Sequence, residues 1–507
     1  MMDKKPEHYI YVGPQGTLAP STSGPVSTPD SIDAVFAQMV QENSKQMVIY
    51  FHGGMVPRES GEKTAGDLDP MFRDIGGQPV FFIWETDVLT TIRQNLLKLM
   101  SSEIVKSLLK YILSQVVKRW VGANVLGKGS GETMTLEEIE VELTRERPFD
   151  ELAQASDRLG GAKGGPEPVT EESLAQAQAE MELELAILMG QHSDELEAAL
   201  IAAADNELLS ETIREEAADT DARGVDLLVL VGLAVKVGVR VLKRYKNGLD
   251  HGPYPTTVEE LLREVGLDGV GKFLWDSMKD KAEAMWQPNP APLPASPKDI
   301  RAGAYFLDRL MAYAKDHPDL KVDLVGHSAG SIVICHLLEA AATRYPGFRF
   351  GRIALLAPAA RMDLFTKTIV SHPERFEKLR MYTMKNELEE RDAIAGPVYP
   401  LSLVFFVSGT MEDPGAAPLC GLARCLTGTG PYATGDSFKA HQYMHAPGEE
   451  RLVLSITDES AAPGLRCNAR HHGDFNNLKI KDEETGDEEK VPGETIPSLQ
   501  VFFSRTP

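Results

Sequence analysis

Residues 321–341 read KVDLVGHSAGSIVICHLLEAA, and within them Ser328 stands between Gly326 and Gly330. Residues 322–325, Val-Asp-Leu-Val, read as a short buried strand, and the residues after Gly330 carry helical apolar spacing. A serine hydroxyl becomes a useful nucleophile only with a base to take its proton. It also needs donors for the charge that develops on an attacked carbonyl. A strand-to-helix turn suits that task. It exposes the hydroxyl on a strained backbone, its glycines let strand and helix pass closely, and the helix N-terminus places positive dipole beneath the new charge. An ordinary strand-to-helix turn would read the same way, so the rest of the chain must supply the partners.

Three other stretches can supply them. Upstream, VIYFHGGM places His52, Gly53 and Gly54 directly after an apolar run ending at Phe51. A Gly-Gly pair alone means a tight turn, but beside an activated serine its amides could bind an oxyanion. Downstream, NARHHGDFNNL (468–478) offers His471 and His472 as bases. Between them, KNELEERDAIAGPVYPLS (385–402) offers Glu387, Glu389, Glu390 and Asp392. Other histidines read more plainly. His441 and His445 have i, i+4 spacing, but no Glu follows His441 as a zinc-protease motif requires, so they read as solvated loop residues. His336 reads as packing.

The order Gly326-His327-Ser328-Ala329-Gly330, a His-Gly turn before it, and acid then histidine after it resembles the α/β-hydrolase superfamily, serine esterase and lipase type. The resemblance covers roughly residues 8–85 and 299–505. It implies Ser328 as nucleophile, His472 as base and an acyl-enzyme resolved by water, with no cofactor and no metal. It implies an oxyanion hole made by the N–H groups of Gly54, helped by Gly53, and Ala329, with the His52 side chain structural. His472 is preferred over His471 because Gly473 and Phe475 follow it, a setting similar to that of related esterases. The acid is expected at Asp392, which closes the charged run just before an apolar Gly-Pro loop. Glu387, nearer the strand end, is the alternative, and Asp413 comes third.

The elements that must position these residues fall into two sets. Short β-branched and aromatic runs lie at 46–51, 79–85, 322–325, 352–358, 379–384 and 451–457. With helical patterns between several of them, they predict an α/β fold with a mostly parallel central sheet covered on both faces. Residues 86–298 read differently, as a large helical insertion or cap. Residues 89–120 have helical apolar spacing, 132–221 are strongly acidic, and Gly/Pro-rich 160–168 read as a flexible loop. Residues 225–246 are apolar, then basic. They suit either a helix lying on a lipid surface or a helix buried within the insertion. Thr257 and Glu260 have capping-box spacing, and proline-rich 287–297 reads as a linker. The expected organisation is 1–85 as the first part of the hydrolase core, 86–298 as the insertion and 299–507 as the second part. Family caps usually follow a later strand, whereas this one precedes the serine.

Composition narrows the partners. The 507 residues hold 52 Lys and Arg against 75 Asp and Glu, a formal net charge of −23. That surface repels nucleic acid. Four cysteines without a metal-ligand pair suit a reducing compartment. The first residues lack the apolar run of a signal peptide, and no run of about twenty apolar residues is present, so a cytoplasmic protein is expected. A small-molecule or lipid ester is the expected substrate, with membrane contact through the insertion. The competing expectation is an inactive hydrolase scaffold whose helical insertion docks on a membrane or protein.

Overall fold

The computed structural model describes residues 8–18, 25–54, 57–84, 89–120, 134–154, 171–203, 206–211, 213–215, 227–481 and 490–505. The chain divides into two compact units. One comprises Met1–Thr90, Trp275–Glu389 and Pro418–Pro507, and the other Thr91–Leu274 and Glu390–Ala417.

The first unit is built on a sheet of seven strands. These are β1 (Tyr9–Val12), β2 (Gln46–Phe51), β3 (Gly77–Trp84), β4 (Lys321–His327), β5 (Phe350–Leu356), β6 (Phe376–Met384) and β7 (Leu452–Ser455). Their order is β1-β3-β2-β4-β5-β6-β7, and every neighbouring pair is parallel. Every residue of β2 and β3 is buried, which explains their continuous apolar runs. Among the described residues, the longer helices wholly within this unit are α1 (Pro29–Glu42), α2 (Arg58–Asp74), α3 (Ala302–Asp316), α4 (Gly330–Arg344), α5 (Gly435–Met444) and α6 (Thr495–Phe503). The strand order reverses between β2 and β4: β3 and β1 lie beyond β2, and β5 to β7 lie beyond β4. In an open parallel sheet, the crevice outside the carboxyl ends at such a reversal is where ligands bind. The segments leaving those two strands are His52-Gly53-Gly54 and Ser328-Ala329-Gly330. The expected α/β class and its strands are therefore present. The apolar stretch 9–12 adds a strand at the sheet edge.

The second unit is helical. Its longer helices are Glu103–Trp120, Glu171–Gln191, Leu227–Lys246 and Pro253–Val265. The stretch 89–120, which reads as one helical pattern, breaks into Leu89–Met100 and Glu103–Trp120 at Ser101 and Ser102. Leu227–Lys246 is a packed helix, burying Leu230, Val231, Ala234, Val237 and Val241. No helix among the described residues is long and apolar enough to cross a membrane. The Gly/Pro-rich stretch 160–168 lies outside the described residues.

Three local expectations change. The helix expected to open at Thr257 starts a turn earlier at Pro253, whose fixed φ and missing N–H suit the first helical position. Thr257 instead donates to the Pro253 carbonyl at 2.7 Å. The proline-rich stretch 287–297 lies within the sheet unit rather than between the two units. The Asn289 side chain both donates to and accepts from the Arg301 backbone, at 3.2 and 2.7 Å. His441 lies in α5 rather than in a loop, and its Nδ1 sits 2.7 Å from the Leu426 carbonyl as donor.

The unit boundaries also differ from 86–298: residues 275–298 fall in the sheet unit, and Glu390–Ala417 joins the helical unit. A buried ionic cluster explains the second difference. Arg244 Nη2 lies 2.6 Å from Glu259 Oε2 and its Nη1 3.1 Å from Glu260 Oε1, while His251 Nδ1 lies 2.8 Å from Glu259 Oε1. The Tyr399 hydroxyl donates to the same Glu259 oxygen. A Cβ on Gly409 would lie 2.1 Å from the Glu259 carboxyl carbon, so that segment closes over the carboxylate. Arg263 Nη1 adds bonds to the carbonyls of Thr410 and Glu412 at 3.0 and 2.9 Å.

Burial alone would raise the Glu259 pKa, but His251, Arg244 and Tyr399 hold it down, from 4.5 to about 2. A depressed carboxyl contributes stability that is complete above its unfolded pKa and is lost as pH falls through the folded one. Melting followed by circular dichroism from pH 7 to pH 2 should therefore lose stability below pH 4.5. Glu259→Gln should cost about 3–5 kcal/mol at neutral pH and show a flatter acid limb.

Candidate active site

Ser328 has φ +50, a left-handed conformation that costs a non-glycine residue about 1–3 kcal/mol. The turn is held in it by hydrogen bonds. Ser328 N–H donates to the Leu356 carbonyl at the end of β5 at 2.8 Å. Its own carbonyl accepts from Ala359 N–H at 3.0 Å and from Ser331 Oγ at 2.6 Å. Ser331 Oγ in turn accepts from Ala360 N–H at 3.0 Å. Both glycines of the motif are sterically required. A Cβ on Gly330 would lie 2.2 Å from the Phe51 carbonyl oxygen, and one on Gly326 would lie 2.7 Å from Ile334 Cδ1. The close passage of β2, β4 and α4 thus depends on missing side chains.

The register that pairs Phe51 with Gly326 brings the Gly-Gly turn against the serine turn. A Cβ on Gly53 would lie 3.3 Å from Ser328 Cβ, and one on Gly54 would lie 2.9 Å from Ala329 Cβ and 2.0 Å from Met278 Sδ. Among the described residues, no acceptor meets the N–H groups of Gly53, Gly54 or Ala329. His52 does structural work, as its place in the sequence suggests. Its Nδ1–H donates to the Gly53 carbonyl at 2.6 Å, and its Nε2 accepts from Trp84 N–H at 3.0 Å. The Trp84 indole donates to the His52 carbonyl at 3.2 Å. Burial lowers the His52 pKa to about 4, so the ring stays neutral and can accept. It ties the Gly-Gly turn to the end of β3.

The histidine loop is fastened from below. Asp474 Oδ2 accepts from the N–H groups of Arg470 and His471 at 3.1 and 2.9 Å. Phe475 is fully buried, and Asn476 donates to the Tyr50 hydroxyl at 3.0 Å. The His472 carbonyl lies 3.0 Å from Nε2 of His327, the residue before the serine, and the two rings are 5.2 Å apart. Of the two candidate bases, His472 is thus placed beside the serine turn, while the His471 amide serves the Asp474 bond.

The acids separate. Asp392 is half-buried and belongs to the helical unit, as does Asp413, whereas Ser328 and His472 belong to the sheet unit. Glu387 is exposed. Glu389 is 1% exposed and ends the helical turn Asn386–Glu389 that leaves β6, within the sheet unit. Its neighbour Leu388 packs on the same apolar cluster as Ala469 and Phe475 of the histidine loop. Sequence reading names Glu389 only as one of four acids. The signal available was its distance from the strand end, with an apolar Leu388 beside it.

The remaining candidates bear on cofactors. His336 lies within α4 near Glu339, and burial lowers its pKa. Cys335, Cys420, Cys425 and Cys467 are buried free thiols. Among the described residues, no group of His, Cys, Asp and Glu is arranged to hold a metal ion. No protein-family model, curated protein or solved structure matches this chain.

Proposed function

We propose that this protein is a serine hydrolase of the α/β-hydrolase type that cleaves carboxylic esters through an acyl-enzyme. The observation that carries the reading is Ser328 at φ +50, between two glycines that admit no side chain, with the Gly-Gly turn packed against it. In this mechanism Ser328 Oγ attacks the acyl carbon as His472 takes its proton. The oxyanion is held by the N–H groups of Gly54, Gly53 and Ala329, one such donor being worth about 3 kcal/mol. The acyl–oxygen bond breaks and the imidazolium protonates the departing alkoxide. Water, deprotonated by His472, then attacks the acyl-enzyme and releases the carboxylate and Ser328. Glu389 is the proposed acid that orients and stabilises the imidazolium, in preference to Asp392. Its burial and its place after β6 support this choice. Met278 and Ala329 give the oxyanion corner apolar walls, which suits an acyl chain, so lipid or long-chain esters are the proposed class.

Turnover of p-nitrophenyl esters from acetate to palmitate tests both parts. Activity should rise with chain length. Glu389→Gln should lower kcat/KM by about 10³–10⁴, while Asp392→Asn stays within threefold of wild type. The reverse pattern would return the role to Asp392. Cleavage confined to short, soluble esters would sink the lipid assignment.

A further inference from the structure

The serine turn and the histidine loop meet at a side chain that G-x-S-x-G leaves open. His327 is 6% exposed, and its Nε2 lies 3.0 Å from the His472 backbone carbonyl. A carbonyl oxygen only accepts, so Nε2–H is the donor and Nδ1 keeps the lone pair. A Cβ on Gly53 would lie 2.9 Å from that Nδ1, so the other edge of the ring rests on the Gly-Gly turn. The His327 ring is tilted 45° to that of His472, with centroids 5.2 Å apart. Burial, with His472 nearby, lowers the His327 pKa to about 3. The ring is therefore neutral across the working pH range, and its one proton stays committed to the His472 carbonyl.

We propose that His327 is a positioning residue. Its Nε2–H holds the His472 carbonyl and so fixes the base against Ser328, while its opposite edge sets the Gly53 turn. One imidazole then spaces three parts that come from separate strand ends: the oxyanion turn after β2, the serine after β4, and the histidine loop that follows β7. His327 touches neither the substrate nor the transferred proton. What the base does rests on the hydrolase reading above, but the hydrogen bond that places it does not.

Isosteres separate positioning from bulk packing. A glutamine amide nitrogen reaches the place of Nε2, whereas an asparagine amide reaches only that of Nδ1. His327→Ala and His327→Asn should lower kcat about a hundredfold with KM within threefold, as expected when a reacting group is misplaced by about an ångström. His327→Gln should recover to within about fivefold. Hydrogen–deuterium exchange, measured in the Ser328→Ala background, gives a readout independent of turnover. Peptides covering 468–478 should exchange faster in the Ala and Asn variants and at the wild-type rate in the Gln variant, with peptides from β3 and β5 unchanged. Wild-type exchange in His327→Ala, or rescue by Asn as good as by Gln, would overturn the proposal. If the wild-type protein turned over no ester, the hydrolase reading would fall, and the exchange result would still decide whether His327 holds the loop.

Discussion

Ser328→Ala should lower ester turnover about a million-fold, the scale expected when a nucleophile that works as a unit with its base is removed. The fold should survive. Ser328 is 7% exposed, and the bonds that hold its turn come from its backbone N–H and carbonyl, which alanine keeps. Stability gives a sharper version of the same prediction. Alanine at φ +50 carries the same strain as serine, so its melting temperature should match wild type. Glycine adopts that φ without penalty, so Ser328→Gly should be equally inactive yet about 1 kcal/mol more stable. Thermal melts of the three proteins beside their turnover rates check this. A stabilised, inactive glycine variant would mark the strain as a cost kept for chemistry. A destabilised one would mean that the hydroxyl itself holds the turn.

Removing the base should matter as much. His472→Ala is expected to lower turnover by about the same million-fold, because serine and base are useless apart. His471→Ala should stay within about tenfold, the residual effect coming from a loosened loop. The reason is geometric. The His472 backbone is bonded to His327 beside the serine, while the His471 amide is spent on Asp474. Burst kinetics on an activated ester would check the assignment, since loss of the base removes acylation itself. A damaging His471→Ala with a near-normal His472→Ala would exchange the two roles.

The parts of this protein that were legible in its sequence are those encoded by local pattern. Buried parallel strands need continuous apolar runs, so β2 reads off 46–51 without error. A strained turn crossed by neighbouring backbone needs glycines, so Gly326 and Gly330 announce it. What escaped depends on pairs far apart in sequence. Glu259 recruits Tyr399 across 140 residues, which draws Glu390–Ala417 into the helical unit. That recruitment groups Asp392 with the helical unit rather than with Ser328, although its local setting resembles that of a loop acid. The charged run around Glu389 looks solvated in one dimension, yet its last turn folds inward beneath the end of β6. The link from His327 to His472 spans 145 residues, and only the three-dimensional meeting of two loops reveals it.

The proposed mechanism begins with Ser328 as an activated nucleophile. Labelling with a fluorophosphonate probe tests it most directly, wild type beside Ser328→Ala, each with and without detergent. Wild type should take one label per chain on the peptide containing Ser328, and the variant none. A folded wild-type protein that stays unlabelled in both conditions, or a label that persists in Ser328→Ala, would contradict it.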